Sequence, residues 1–484
     1  MAHSLLRNTA YLTAASVGQK LISFGYFILF ARTLNTEQTG LYFLTLSLLT
    51  IFSVGTDLGL TSVVIRDTAK YPDRASVLVR HALALKLPLA LLSVGVSFLT
   101  AYLIYGSETP DLWQQLIPLL GIGSFILFFD GISLLYYGLL RGKHILSFEA
   151  VGLLLSQGIS AIIGFSFLLF APAVPWMIVA LACGSIFNAS FAAIQAARQL
   201  DKTILLPLWD ASAAWAMLRV ALPFALAAIF VKVYSYIDSI FLSKFIGTEA
   251  VAVYGVAYKL TYAFQFIPLA FVAALYPRLS HLIANEKERV KEVMQGAFRY
   301  LTLLGAPIVF GIAALAPDIV RLAGHGYMSS APVLRILVFV LLPIFLDFPI
   351  GSLLNASDRQ GTKTSIFGVV MGINVISNFI LIPLFGVTGA AMAAILSFYS
   401  LFFLGLIFLR KLLPQTKLQE LLGPSLRILL SGAFMGAGVL LARPFIGFFA
   451  SVPLGAVLFL VGLSLTRSWP TDLFLLLKRT KRVV

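Results

Sequence analysis

Residues 10–31 read AYLTAASVGQKLISFGYFILFA, and residues 222–243 read LPFALAAIFVKVYSYIDSIFLS. Each stretch is long enough to cross a ~30 Å hydrocarbon core as a helix. Each carries one lysine near its middle, Lys20 and Lys232, and a shift of 212 residues lays one lysine on the other. The same shift puts Arg7 on Arg219, Arg32 on Lys244, Glu37 on Glu249, Tyr42 on Tyr254 and Arg66 on Arg278, with no gap. A duplicated membrane unit that keeps a charge inside each copy is the pattern of a transporter.

The rest of the chain extends that reading. Of its 484 residues 60% are hydrophobic and 11% charged, where a soluble domain carries about 25% charged. Mean hydropathy is +0.96. Fourteen apolar segments are legible, near 10–31, 41–63, 83–104, 114–137, 148–170, 176–197, 217–241, 251–276, 297–320, 331–354, 365–385, 389–409, 425–442 and 451–466. The expected fold is therefore all-α and integral to the membrane. The net charge of +15 does not point to nucleic acid. With the N-terminus in the cytoplasm, alternate loops collect the basic residues: Arg66 to Arg80, Arg141 with Lys143, Arg278 to Arg299, Arg359 with Lys363, and the tail from Lys478 to Arg482. Opposite loops keep Arg32, Lys244, Arg321, Arg335 and Arg443. That asymmetry is the positive-inside rule, and it expects both termini in the cytoplasm. The run after Arg7 is too long for a signal peptide, and Lys20 interrupts it, so it reads as the first span. Cys183 is the only cysteine, which excludes an internal disulfide and a zinc cluster.

The duplication continues beyond the first pair of spans. Phe128-Phe129-Asp130 falls on Phe345-Leu346-Asp347 at a shift of 217, and Arg141 after the fourth span falls on Arg359 after the tenth. Two parallel six-span repeats are expected, with residues 1–200 as an N-lobe and 201–415 as a C-lobe. Residues 416–484 then hold two appended spans and the basic tail. The cleft between parallel repeats is the default substrate site. A short interfacial helix is expected near Asn285–Arg289.

Seven charges within the spans draw attention: Lys20, Lys232 and Lys259 against Asp57, Asp130, Asp238 and Asp347. Lys20 lies about 15 Å of helix from either end of its span, too far to snorkel. Facing lipid would cost at least ~2.5–3.5 kcal/mol. Lys20 and Lys232 must therefore face a partner or a cleft, either as static ion pairs that fix packing or as a site for an anionic head group. Pairing Lys20 with Asp130 and Lys232 with Asp347 would neutralise both repeats. Alternatively the aspartates hold a coupling ion, H+ or Na+, or form pairs that break during transport. Asp347 lies between Pro343 and Pro349, which should break or kink its helix. Asp238 and Lys259 sit at similar depth and read most simply as a salt bridge between neighbouring helices. Asp57 reads as a cap, or as a partner near Arg66. Gln157, Asn188, Gln195, Gln265, Asn374 and Asn378 read either as interhelical glue or as sugar contacts. Tyr26, Tyr234, Tyr236, Tyr258 and Tyr262 read either as interface belt residues or as stacking partners for sugar rings. No Walker loop, metal-ligand cluster or nucleophile–base pair is visible, so the chain is not read as an enzyme. No metal or organic cofactor is expected.

Several motifs are familiar in this order: Ala31-Arg32-Thr33-Leu34, Gly40-Leu41-Tyr42 and Asp57-Leu58-Gly59-Leu60 in the first repeat. The second carries Leu222-Pro223-Phe224, Asp238, Gly247, Tyr254, Lys259 and Tyr276-Pro277-Arg278-Leu279-Ser280, then Asn374, Asn378, Ile382-Pro383 and Gly389-Ala390. With them the chain resembles the polysaccharide transporter (Wzx-like) branch of the multidrug/oligosaccharidyl-lipid/polysaccharide flippase superfamily, over nearly its whole length. The resemblance implies two lobes that alternate between inward and outward openings. It implies passage of undecaprenyl-diphosphate-linked oligosaccharide repeat units from the inner to the outer leaflet of the bacterial inner membrane, for O-antigen, capsule or exopolysaccharide assembly. It also implies a polysaccharide polymerase and a chain-length regulator as partners. On that resemblance Lys20, Lys232 and Lys259 become the diphosphate contacts, with Asp130, Asp347 and Asp238 as coupling-ion or gating candidates. The rival within the superfamily is a cation-coupled multidrug antiporter, which has twelve spans.

Overall fold

A computed structural model describes residues 2–414 and 417–469. The basic tail at 478–482 lies outside the described residues. Among the described residues every regular element is a helix. In chain order the α-helices are α1 (Ala2–Thr33), α2 (Thr36–Phe52), α3 (Leu60–Lys70), α4 (Ala75–Tyr105), α5 (Pro110–Gly142), α6 (Ser147–Phe170), α7 (Val174–Gln199) and α8 (Ala211–Phe245). They continue with α9 (Thr248–Tyr262), α10 (Phe266–Asn285), α11 (Val290–Arg321), α12 (Ser330–Leu337), α13 (Leu341–Ala356), α14 (Gln360–Phe385), α15 (Val387–Leu412) and α16 (Leu418–Leu465). Backbone polar groups have no water to bond in a bilayer core, so an apolar chain satisfies them internally as helix.

Eleven helical stretches are each long and apolar enough to span a membrane. With α1 and α2 counted, and α16 divided at Gly447, the described residues hold the fourteen expected spans. Gly447 has φ 73° and ψ 179° inside α16. That backbone is readily open only to glycine, and it separates two spans joined without a loop.

The chain divides into two compact units. The first comprises residues 1–266, 320–333 and 361–397, and the second 267–319, 334–360 and 398–484. This is a division by packing. The expected division at 200 and 415 follows the duplicated sequence and remains a proposal about its origin. In the first unit Leu60, Val63, Leu135, Tyr136, Leu139, Met217 and Ala221 form one apolar core. There α2 lies directly on α9: a Cβ added at Gly40 would stand 1.8 Å from the Thr248 carbonyl oxygen. Thr39 and Tyr327 share a hydrogen bond between their hydroxyls, 2.7 Å, near the same end of α2. In the second unit Ala306, Leu315, Ile428, Met435, Val439 and Phe459 form the core. Gly432 packs on Phe310, the close helix approach that small residues permit.

Two local expectations change. No separate interfacial helix occupies the 285–289 region. α10 continues through Pro277 to Asn285, and a three-residue 3-10 turn, Lys287–Arg289, leads straight into α11. The break expected near Pro343 lies just before it, where the 3-10 turn Val338–Val340 separates α12 from α13.

Candidate functional site

Three lysines of the spans belong to the first unit. Lys20 is exposed on α1, while Lys232 on α8 and Lys259 on α9 are half-buried. Lys20 lies near enough to Lys259 for their like charges to repel. Lys232 Nζ stands 5.7 Å from the centroid of the Tyr236 ring, a cation–π contact. Tyr236, Tyr258 and Lys259 share the wall of a cavity of about 170 Å3, completed by Phe43, Leu46, Ser47, Thr50, Ser235, Ser239, Tyr254 and Gly255. That volume is below the ~300–1,000 Å3 of a site for a drug-sized ligand. It suits a compact head group and not a chain of sugars.

None of the three lysines forms an ion pair with an acidic side chain among the described residues. The expected Lys20–Asp130 pair is absent, because the Asp130 carboxylate instead accepts a hydrogen bond from Ser185 of α7. Lys232 and Asp347 belong to different units. Asp347 is half-buried on α13, close to Gly405 of α15.

The expected Asp238–Lys259 salt bridge is also absent. Asp238 is 3% exposed and is held by neutral donors. Tyr254 Oη donates to its Oδ2 at 2.6 Å, and Asn378 Nδ2 donates to its Oδ1 at 2.6 Å. Asn378 Nδ2 also reaches Asn374 Oδ1 at 3.1 Å, and Asn374 Nδ2 donates to Ser397 Oγ at 3.0 Å. Asn374 and Asn378 lie one turn apart on α14, and both are buried. The Asn378 Oδ1 atom is buried with no hydrogen-bond partner. A buried polar atom left unpaired is costly. The cluster around Asp238 also holds an amide oxygen of Asn374 and the hydroxyls of Tyr254 and Ser397, oxygen atoms of the kind hard cations prefer.

One buried ion pair escaped the sequence reading. Lys86 Nζ lies 2.5 Å from Asp57 Oδ1 and is 2% exposed. Asp57 also accepts from the Thr61 hydroxyl, while Arg66 bonds its neighbour Asp67. Asp57 thus partners Lys86 and not Arg66. Lys86 falls four residues inside its predicted span, where a lysine reads as an end residue. Arg141 and the buried Glu149 form a second such pair, with Nε to Oε2 at 2.7 Å.

A sequence family described as polysaccharide biosynthesis protein matches residues 5–283, more than half of the chain. This chain belongs to that family. A second family, MatE, matches residues 223–380 of this chain. Among curated relatives, "Probable flippase AglR" of Haloferax volcanii is 30% identical over 168 residues, 34% of this chain and 35% of that one. "Teichuronic acid biosynthesis protein TuaB" of Bacillus subtilis is 27% identical over 128 residues, 25% of this chain and 26% of that one. The matches thus span about a third or less of these relatives' length. Among solved structures, "Lipid II flippase MurJ, inward closed conformation" superposes with a TM-score of 0.77 at 15% identity, over 94% of this chain and 98% of that one. An inward-facing multidrug resistance MATE family transporter of the MOP superfamily gives 0.64 at 15% identity, over 84% and 100%. At that identity the likeness shows the fold alone.

Proposed function

We propose that this family member is a flippase that carries a lipid-linked oligosaccharide across a membrane by alternating access. The observation that carries the reading is a tyrosine-lined cavity bordered by Lys259, with Lys20 near Lys259, Lys232 over the cavity's Tyr236, and no acidic partner for any of the three among the described residues. An unpaired cation within a span is costly, and a diphosphate supplies the missing charge. The tyrosines offer faces for the first sugar. The relatives named as flippases and as a teichuronic acid biosynthesis protein agree with this direction. In finer detail, the substrate is an undecaprenyl-diphosphate-linked repeat unit for O-antigen, capsule or exopolysaccharide. The host membrane is the bacterial inner membrane, both termini are cytoplasmic, and the polymerase and chain-length regulator act beside it.

Asp238 with Asn374, Asn378 and Ser397 is the favoured seat of a coupling ion, Na+ or a proton. Its buried carboxylate is met by neutral donors, Tyr254 and Asn378, and one positive charge would balance it, while the Asn378 oxygen is left without a partner. Asp130 and Asp347 remain gating candidates. A second reading, a cation-coupled multidrug antiporter, draws on the MatE match at 223–380.

The test is resolved by leaflet. In a strain lacking the gene, lipid-linked sugar should accumulate on the cytoplasmic face. The wild-type gene should clear it and the Lys20→Ala form should not. No accumulation, with altered sensitivity to cationic dyes instead, would replace the flippase by the antiporter.

A further inference from the structure

The two candidate sites are joined by one set of tyrosines. α9 presents Tyr254, Tyr258 and Tyr262 at four-residue intervals, so they share one face. Tyr254 donates to Asp238. Its ring stands 6.2 Å from that of Tyr258, and Tyr258 stands 6.2 Å from Tyr236, to which it is also hydrogen-bonded. Tyr258 and Tyr262 are stacked at 4.0 Å. Lys232 covers Tyr236, and Lys259 follows Tyr258 in sequence. A run of contacts therefore leads from a buried carboxylate through the tyrosines to Lys232 and to the cavity that Lys259 borders, all on α8 and α9.

We propose that Tyr254 is a positioning residue that couples cation occupancy at Asp238 to anion binding at Lys232 and Lys259. This rests on the Asp238 cluster being the coupling-ion site. In this structure the carboxylate accepts from two uncharged donors, the Tyr254 hydroxyl and the Asn378 amide. A cation bound by Asp238 requires Asn378 to turn its amide and present the oxygen that is now orphaned. That exchange removes one donor and changes the charge Tyr254 faces. Tyr254 is packed ring to ring with Tyr258, so its adjustment is transmitted to the cavity wall and to the neighbouring Lys259. Only an element with two arrangements that both ligands bias can couple two sites. The Asn378 amide with the Tyr254 hydroxyl has that property.

The experiment measures binding of undecaprenyl diphosphate to the full-length protein in nanodiscs, in sodium chloride and in N-methylglucamine chloride at equal ionic strength and pH. The quantity read is the ratio of the two affinities, so a general loss of affinity does not enter. In the wild type the ratio should be about fivefold or more, the lower end of common coupling strengths. Asp238→Asn should bring it to one, and Tyr254→Phe, which keeps the ring and removes the hydroxyl, should also bring it to one. Should Tyr254→Phe fold poorly, Tyr258→Phe tests the next contact while leaving the donors to Asp238 complete, and its ratio should also fall. If the tyrosine variants keep the wild-type ratio while Asp238→Asn loses it, the positioning role is overturned and the ion site stands. If Asp238→Asn keeps the ratio, or the wild type shows none, the ion site falls and the coupling with it.

Discussion

A lysine inside a span has three stable choices: a carboxylate, an aromatic face or an incoming anion. Lys86 takes the first, and the pair is nearly dry. Removing one member of such a pair leaves the other uncompensated, typically at about 3–5 kcal/mol. Lys86→Ala should therefore lower the unfolding temperature markedly in a detergent melt, whereas the apolar double change Lys86→Met with Asp57→Leu should restore most of it. Lys232 takes the second choice, over Tyr236, and keeps its capacity for the third. Lys20→Ala and Lys232→Ala should each cut glycan export about tenfold or more, the scale of one charge-assisted contact, with folded protein at wild-type levels on a size-exclusion trace. Normal export by both variants would sink the diphosphate assignment. These lysines were legible because each lies well inside a long apolar segment and the two coincide in the duplicated sequence. Lys86 was not, because its depth depends on where the span begins, and sequence sets that edge only within a few residues. The Asp238 cluster was half legible. Asn374 and Asn378 stood out as polar residues in a span, but only folding brings them, 140 residues further along for Asn378, onto Asp238.

Among elements, the contact between α2 and α9 carries the most consequence. Both begin just after a tight turn, and Gly40 lets them meet almost backbone to backbone at Thr248. A methyl group there must push the helices apart, and overpacking of this kind costs roughly 1–3 kcal/mol. Gly40→Ala should depress export while Gly121→Ala, where an added Cβ meets nothing within 4 Å, should not. Parallel export assays of the two variants check this. The periodicity of apolar runs located the spans well, since every bilayer-crossing helix needs about twenty apolar residues. It could not reveal that α2 ends at Phe52, with a turn through Leu58 and Gly59, both at positive φ, before α3. A turn whose polar groups are met by Asp57, Thr61 and Lys86 leaves the hydropathy of the segment unchanged. The same limit hid the absence of a separate α-helix at 285–289, where the charged residues form only a 3-10 turn between α10 and α11.

Across the whole chain, the duplication proves unequal in chemistry. The shift that lays Lys20 on Lys232 lays Tyr26 on Asp238. Tyr26 directs its hydroxyl to the Met177 sulfur at 3.0 Å, a weak acceptor with no ionic function. The proposed ion site thus has no counterpart at this position of the first copy. In proteoliposomes Asp238→Asn should abolish any sodium dependence of transport, and Tyr26→Phe should leave that dependence in place. Equal loss in both would argue for a site shared by the two copies. The Asp57–Lys86 pair also bears on how the chain is made. Its members sit in successive spans, and each alone carries a charge that lipid penalises by about 2.5–3.5 kcal/mol. Neither span is a good solitary guest of the bilayer, but together they are nearly neutral. The second and third spans should therefore leave the insertion machinery as a hairpin. A nascent chain halted between them should be held there, or extracted and degraded, until Lys86 has been synthesised.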